Sequence, residues 1–213
     1  MKYINKSEEP KSFTAWKQLE NNDWKPSWNN FSKPQKTDVH NSLLQEQGHI
    51  CCYCGRLINI DSSHIEHLQP RTTYPKLSLY YTNLLASCQK DTVPKQPLHC
   101  GKKKDKWYDD KLMVSPLDIN CSDFFRYTED GQILSTENPE KILAAKTTID
   151  KLDLNIDKLQ KMRRGAIEAI LEGLEYLTDD ERELLLQGFS QPNENGHNEE
   201  FCAAIVYILK QYI

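Results

Sequence analysis

Five of the seven cysteines lie between positions 51 and 100, and this cluster constrains the fold more than any other feature of the sequence. The opening MKYINKSEEP has no apolar run, so we expect no secretory signal and a reducing, cytoplasmic location. Clustered thiols in such a compartment indicate a metal site, and an odd cysteine count fits a disulfide framework poorly. The remaining two cysteines, Cys121 and Cys202, are expected to be inert buried thiols.

The metal site is predicted to be a structural zinc knuckle. Two thiolates spaced as C-x-x-C on a tight turn reach one tetrahedral ion, and two more cysteines complete the set. Two alternatives stay open: Cys52 replacing a neighbour by a register shift, and His99 replacing the last cysteine. The predicted ligands are Cys51, Cys54, Cys88 and Cys100.

Composition narrows the class of protein. The chain has 213 residues, 27% of them charged, with a net charge of −4, which is ordinary for a soluble globular protein and argues against an unspecific polycation. No apolar run approaches the roughly 18–20 residues of a membrane span, so no membrane partner is expected. Charge is uneven: residues 95–111 hold six lysines against three aspartates, whereas residues 151–213 are acidic.

Periodicity predicts an α+β chain in three parts. Residues 1–47 form an irregular arm with short helices, near 12–20 and 39–47, whose aromatic residues either pack on the core or stack on bases. Residues 48–120 form the metal-bearing core, with a cysteine turn between two short strands, helix-like spacing over 77–87 and a loop over 89–97. Residues 121–213 contain a hairpin at Asp130-Gly131, followed by helices. One helix starts at the capping box of Thr178 and Glu181, and this region is the candidate docking surface for a partner.

A second cluster lies between the cysteine pairs, in the strand-like segment containing His64, Glu66 and His67. Alternation puts His64 and Glu66 on one side of a strand. An imidazole accepts a proton from water at neutral pH, and a carboxylate binds a divalent ion such as Mg²⁺. An adjacent acid and imidazole are what metal-assisted hydrolysis of a phosphodiester requires. The role of His64 stays open among metal ligand, phosphate donor and packed residue.

The order Cys-x-x-Cys, Glu-His-Leu-x-Pro, Thr-Asn-Leu-Leu-x-Ser-Cys and Cys-Gly-Lys-Lys-Lys resembles zinc-containing HNH endonucleases. That resemblance implies a ββα-metal core, with His67 as general base, Glu66 as ligand of a catalytic Mg²⁺ or Mn²⁺, and Asn83 orienting the histidine loop. The third motif position departs from the family pattern, and His99 is the candidate for the missing ligand of the catalytic ion. Basic residues near this site are expected to contact phosphates: Arg71, Lys102, Lys103, Lys104 and Lys106.

The whole chain, from its M-x-x-I-x-K-x-x-E-P opening to its helical tail, is similar to the PtuB type of HNH protein. That resemblance implies an effector of bacterial anti-phage defence, in Septu or retron systems. The implied partners are nucleic acid, DNA or RNA, and a PtuA-like ATPase, with a retron reverse transcriptase and its msDNA in the retron case. Two other readings are a non-catalytic zinc module that recruits nucleic acid or protein, and a thiol redox protein using Cys51 and Cys54.

Overall fold

The computed structural model describes residues 1–91 and 94–213. Within them the chain is a mixed α and β protein, as the sequence predicts, with small two-stranded sheets set among helices. The seven helices are α1 Lys11–Lys17, α2 Gln35–Glu46, α3 Cys100–Lys104, α4 Ile142–Leu152, α5 Asp157–Leu174, α6 Asp179–Ser190 and α7 Cys202–Leu209. The four strands are β1 Ser63–His67, β2 Leu84–Cys88, β3 Phe125–Tyr127 and β4 Ile133–Ser135.

The centre of the molecule is the antiparallel pair of β1 and β2, followed by α3. Its register pairs Ser63 with Cys88 and Glu66 with Leu85. Every residue of β2 is buried, so the strand has no alternation of buried and exposed residues. The helix that the spacing over 77–87 predicts is therefore wrong. Short 3₁₀ turns at Pro75–Leu77 and Tyr81–Asn83 lead into a strand.

The cysteine turn precedes β1 and is held by its own backbone. The two strands expected to flank it are reduced to one antiparallel bridge between Ile50 and Leu57. The amide of Gly55 donates to the carbonyl of Cys51 at 3.0 Å, and Gly55 has φ of +78°, a conformation that favours glycine. Buried Gln47 joins this turn to the sheet by bonding the backbone of Ile50 and Ala86.

The N-terminal arm packs on the core through its aromatic side chains. Phe13, Trp16 and Phe31 are buried and lie ring to ring, with centroids 4.9–5.9 Å apart. For these residues the packing interpretation is confirmed. The predicted helices near 12–20 and 39–47 are present as α1 and α2, with boundaries shifted by a few residues.

The C-terminal part packs on α3 through α4, and the amide of Phe201 donates to the carbonyl of Gly55 in the cysteine turn at 2.8 Å. β3 and β4 form the hairpin predicted at Asp130-Gly131, and the buried guanidinium of Arg163 donates to the carbonyl of Gly131 at 2.7 Å, tying α5 to the turn. The capping box of Thr178 and Glu181 begins α6 as predicted. Helix α6 contributes no buried residue.

Both outlying cysteines, Cys121 and Cys202, are fully buried, as expected. The loop predicted over 89–97 includes residues 92 and 93, which lie outside the described residues. No helix in the described part of the chain is both long and apolar enough to cross a bilayer.

Candidate active site and metal centre

Four thiols converge where the cysteine turn, β2 and α3 meet. The sulfur atoms of Cys51, Cys54, Cys88 and Cys100 all lie within 4.8 Å of one another. Tetrahedral zinc with Zn–S bonds of about 2.3 Å places its sulfur ligands roughly 3.8 Å apart. The Sγ atoms of Cys54 and Cys88 are 3.9 Å apart. The predicted ligand set is therefore brought together, and its size and chemistry fit an ion such as zinc.

The electrostatics of this cysteine cluster also favour a cation. Burial acts to raise the pKa of Cys51, but hydrogen bonds from the neighbouring thiols, Cys100 first, lower that pKa well below its usual range. Burial and the thiolate of Cys51 together raise the pKa of Cys100 well above its usual range. A bound cation would favour the deprotonated form of all four thiols, because metal ligation requires thiolates.

His99 lies against the cysteine cluster. Its Nδ1 is 3.5 Å from Sγ of Cys88 and 3.2 Å from Sγ of Cys100, and its Nε2 is a buried atom without a hydrogen-bond partner in the described residues. The ring contacts that the structure gives are therefore with thiols. This placement departs from the expected role of His99 as a ligand of the catalytic ion.

The two oxygens of the buried Glu66 carboxylate have different surroundings. Oε1 is 2.8 Å from Nζ of Lys104 and accepts a hydrogen bond of 3.3 Å from the Tyr53 hydroxyl. Oε2 is 3.4 Å from Nε2 of His64. Burial acts to raise the pKa of Glu66, but the contacts with His64 and Lys104 lower it below its usual value, so the group is a carboxylate at neutral pH.

His67 follows at the end of β1, with its ring near the Trp28 indole at a centroid distance of 4.3 Å. Its Nε2 is 3.0 Å from the carbonyl oxygen of Ser78. A carbonyl only accepts, so Nε2 carries the proton and Nδ1 carries the lone pair of the neutral ring. Burial lowers the pKa of His67 to about 4, which leaves the ring neutral and able to accept a proton at pH 7.

The buried amide of Asn83 ties down both ends of the loop that follows His67. Its Oδ1 accepts from the amide of Gln69 at 2.8 Å, and its Nδ2 donates to the carbonyls of Gln69 at 3.0 Å and Leu77 at 3.2 Å. Because Ser78 lies beside Leu77, these bonds also fix the carbonyl that orients His67.

A cavity of about 540 Å³ opens in front of these groups. Helix α3 closes one wall with Gly101, where a Cβ atom would lie 2.5 Å from Oε2 of Glu66 and 3.0 Å from Nε2 of His64. The glycine thus keeps the space around the two ligand-type atoms clear. The cavity gathers most of the residues predicted for catalysis and phosphate contact: His64, Glu66, His67, Arg71, Lys102 and Lys106.

Two of the predicted phosphate ligands lie elsewhere. Lys104 is 2% exposed, and its ammonium pairs with Glu66 and donates to the carbonyl of His67 at 3.0 Å, so it is an internal counter-charge rather than a surface cation. Lys103 points to the other side of α3 and pairs with Asp153 at 3.1 Å. The expectation that every lysine of this run meets phosphate is corrected at these two positions.

Sequence reasoning missed Tyr53, Trp28 and the internal role of Lys104. For Lys104 a signal existed, since positions 100, 101 and 104 share one face of a helix and the first two face the buried centre. Tyr53 and Trp28 reach the site only through tertiary packing, and nothing in their local sequence marks them.

No protein-family model matches the chain. Two curated proteins do. The chain is 31% identical over 154 residues to the HNH endonuclease assigned to retron Vc95 of Vibrio cholerae serotype O1 biovar El Tor, covering 70% of this chain and 73% of that protein. It is 30% identical over 144 residues to the Septu protein PtuB of Bacillus thuringiensis, covering 65% of this chain and about half, 49%, of that protein. On this similarity, the chain belongs to the PtuB-type family of HNH proteins of retron and Septu anti-phage systems.

Proposed function

We propose that the protein is a metal-dependent endonuclease that hydrolyses phosphodiester bonds of DNA or RNA. One observation carries the proposal: Glu66, His64 and the proton-accepting His67 line one cavity, together with the cations Arg71, Lys102 and Lys106. A zinc module that only recruits a partner has no use for an ionised carboxylate and a neutral imidazole facing the same space. The order β1, β2, α3 around these residues supports a ββα-metal core.

The catalytic divalent ion, Mg²⁺ or Mn²⁺, is assigned to Oε2 of Glu66 and Nε2 of His64. These atoms are 3.4 Å apart, both face the cavity, and Gly101 leaves room beside them. Such an ion neutralises charge on the scissile phosphate and on the leaving oxygen. His64 thus takes the ligand role that the sequence suggested for His99, whose ring lies at the cysteine cluster.

The protein's own groups supply the remaining steps. Lys104 and Tyr53 hold Oε1 of Glu66, so the carboxylate presents Oε2 in one orientation. Nδ1 of His67 accepts the proton of the attacking water, and the Ser78 carbonyl stabilises the positive charge that the ring then acquires. Arg71, Lys102 and Lys106 bind phosphate oxygens, which gives affinity without sequence information.

A cleavage assay on plasmid DNA and total RNA tests the proposal, with the wild-type chain and His67→Ala compared in Mg²⁺, in Mn²⁺ and without divalent ion. We expect ion-dependent cleavage by the wild-type chain and a loss of at least 100-fold in His67→Ala, consistent with removal of a general base. Zinc content and thermal unfolding of the variant should match the wild type. Equal cleavage by both forms would refute the role of His67.

We further propose that the protein works with a PtuA-like ATPase, as an effector of a defence system, and that α6 and the turn before it contact that partner. The support is an exposed apolar surface beside acidic side chains: Leu184 is 69% exposed and Tyr176 is 80% exposed, and α6 buries none of its own residues. In a retron setting the same assembly includes the reverse transcriptase and its msDNA. Co-purification of the ATPase with the chain, and its loss in Leu184→Ser, is the expected result.

The matched control for the partner assay is Leu143→Ser, since Leu143 is also exposed, at 62%, but lies on α4. Retention of the ATPase by Leu184→Ser, or equal loss with Leu143→Ser, would remove α6 from the interface. The cleavage assay is repeated with the ATPase present, because a free chain that is inactive alone and active in the complex would still support the nuclease.

A further inference from the structure

A second cavity adjoins the catalytic one across β1. It has a volume of about 420 Å³, and it shares His64 and Ile65 with the first cavity. Its far wall comes from the N-terminal arm and α2, and one further cation comes from the segment after β2. The residues that matter for the argument are Trp28, Lys33, Lys36 and Lys90.

The indole of Trp28 contacts residues of both cavities. Its indole packs on buried Phe31 on one side, at a centroid distance of 5.4 Å, and meets the His67 ring edge-on at 4.3 Å. The ammonium of Lys36 and the guanidinium of Arg71 lie 4.9 Å and 5.0 Å from the centre of the same indole. The aromatic ring therefore holds two cations, one from each cavity, beside the proposed general base.

These two cations have no acidic counterpart in the part of the chain that the structure describes. Three carboxylates line the two cavities, and none forms an ion pair with Lys36 or Arg71 in the described residues. Asp61 pairs with Lys90 at 3.6 Å, Glu66 pairs with Lys104, and Asp105 lines the cavity that contains Arg71. Burial, and then the charge of Arg71, lower the pKa of Lys36 below its usual value. Two like charges gathered without an acid are unfavourable by themselves, and an anion between them removes the repulsion.

We propose that the N-terminal arm and α2 form the second half of a nucleic-acid groove, in which Lys33 and Lys36 bind phosphates of the strand on the side of His67 opposite to Lys102 and Lys106. Arg71 stands between the two halves, and His64 and Ile65 form the floor that they share. A strand that crosses both cavities places one of its phosphates in front of His67 and the Glu66–His64 pair. Trp28 is a positioning residue here, because its ring is occupied by the two cations and by His67 rather than open to a base.

This inference rests on the proposed nuclease function and extends its substrate site to residues outside the HNH motifs. The test measures binding rather than cleavage. Fluorescent 20-nucleotide single strands of DNA and of RNA with the same sequence are titrated with the full-length, zinc-loaded chain, without added divalent ion, at several salt concentrations. The double variant Lys33→Gln/Lys36→Gln is compared with the wild type and with Lys161→Gln/Lys210→Gln, which removes two exposed lysines that line neither cavity.

If both lysines bind phosphate, the slope of log K against log salt becomes less steep by about 1.4, since each lost contact to a single strand removes about 0.7. Affinity in about 0.1 M salt then falls at least tenfold. The control variant keeps the wild-type slope within error. Glutamine retains much of the aliphatic stem, and thermal unfolding verifies that the arm still packs.

An unchanged slope in the Lys33→Gln/Lys36→Gln variant overturns the inference, and so does an equal loss in the control, which would show an effect of net charge only. Failure of the two proposals is distinguishable. Cleavage by the wild-type chain together with unchanged binding by the arm variant removes the groove and leaves the nuclease. Arm-dependent binding without cleavage under any condition, with the ATPase present, removes the nuclease and leaves a nucleic-acid groove.

Discussion

At the scale of single residues, the site depends on Glu66, whose two carboxylate oxygens have different contacts. Lys104 and Tyr53 hold Oε1 of Glu66 inside the protein, and Oε2 faces the cavity beside His64. A carboxylate with one oxygen fixed in this way loses little rotational freedom on binding an ion. That arrangement is sensitive to any atom added beside Oε2.

Gly101→Ala is the direct test of this sensitivity. Its Cβ atom would lie 2.5 Å from Oε2 of Glu66, so the carboxylate must move while the helix backbone stays in place. We expect Mn²⁺ affinity, measured by isothermal titration of the zinc-loaded chain, to fall by about tenfold or more, as for disturbed ligand shells in other metal sites. Gly165→Ala is the matched control, because its Cβ atom would meet nothing within 4 Å, and it should bind Mn²⁺ as the wild type does. Wild-type affinity in Gly101→Ala would contradict the assignment of the ion to this carboxylate.

A second prediction concerns His40, which is buried on α2 with Nε2 2.8 Å from Oγ of Ser63. Burial lowers its pKa from 6.5 to about 4. Above pH 6.5 the ring is neutral in both the folded and the unfolded chain and contributes no pH dependence. As pH falls from about 6.5 to 4 the unfolded chain binds the proton more readily, so the free energy of unfolding decreases. Thermal unfolding at pH 7.5 and pH 5 should show a smaller drop in His40→Gln than in the wild type; equal drops would contradict the assignment.

At the scale of elements, α3 is the shortest of the described helices, and it links the cysteine cluster to the cavity that holds Glu66 and His64. Cys100 at its start belongs to the cysteine cluster, Gly101 lies against Glu66 and His64, and Lys104 at its end holds Glu66. Five residues of this composition are not a stable helix alone, since isolated helices need many more residues. Its position therefore depends on the cysteine cluster at one end and on the buried ion pair at the other.

Cys54→Ser should consequently impair both zinc binding and the stability of the fold. We expect zinc content, measured by mass spectrometry of the purified chain, to fall from near one per chain to well below one. The free energy of unfolding should fall by more than about 4 kcal/mol, since loss of a structural metal is among the largest single-site effects. Cys121→Ala, at a buried thiol outside the cysteine cluster, should keep its zinc. Full zinc content in Cys54→Ser would show that the other three thiols and His99 suffice.

Elements with local signals were predictable, and those defined by distant partners were not. The hairpin at Asp130-Gly131, the capping box at Thr178 and the C-terminal helices follow from turn chemistry, capping and periodicity. Strand β2 was misjudged because two adjacent leucines and two earlier apolar residues imitate helical spacing, whereas a strand buried on both faces has no alternation to read.

At the scale of the whole molecule, one hydrophobic core joins all three segments that the sequence distinguishes. Met1 and Phe13 from the arm, Leu85 from β2, and Leu174 and Leu209 from the C-terminal helices belong to it. The division at 47 and 120 remains a prediction about organisation, but the segments share their apolar contacts. The C-terminal helices α5 and α7 are thus structural parts of the protein, whatever α6 contacts.

A chain that ends at residue 150 should for this reason lose cooperative unfolding. It lacks Leu159, Ile167, Leu174 and Leu209, each at most 3% exposed in the full chain, and it leaves their apolar partners in water. Calorimetry is expected to show no cooperative transition for the shortened chain. Leu184→Ser, on the exposed surface of α6, should unfold within about 0.5 kcal/mol of the wild type. A cooperative transition in the shortened chain would show that its first 150 residues fold independently.

For the site as a whole, most of the residues predicted from the sequence lie together in the structure, because thiol spacing and the Glu66-His67 pair are local features. The sequence did not predict which groups face each other across the chain. His99 was assigned to the catalytic ion and lies at the cysteine cluster, and Lys104 was assigned to phosphate and lies on Glu66. Both differences concern side-chain direction at α3 and at the residue directly before it, which is set by packing against β2 and the cysteine turn.

Because α3 lies between the cysteine cluster and Glu66, we expect the proposed nuclease activity to depend on the supply of the metal that the cysteines bind. We expect α3 of a newly made chain to lack its anchor until the four thiols bind metal, so that Gly101 and Lys104 do not yet shape the proposed catalytic carboxylate. The protein would then be inactive directly after synthesis. In a cell short of zinc it would stay inactive. Metal loading of the cysteine cluster would then act as a maturation step for the proposed nuclease.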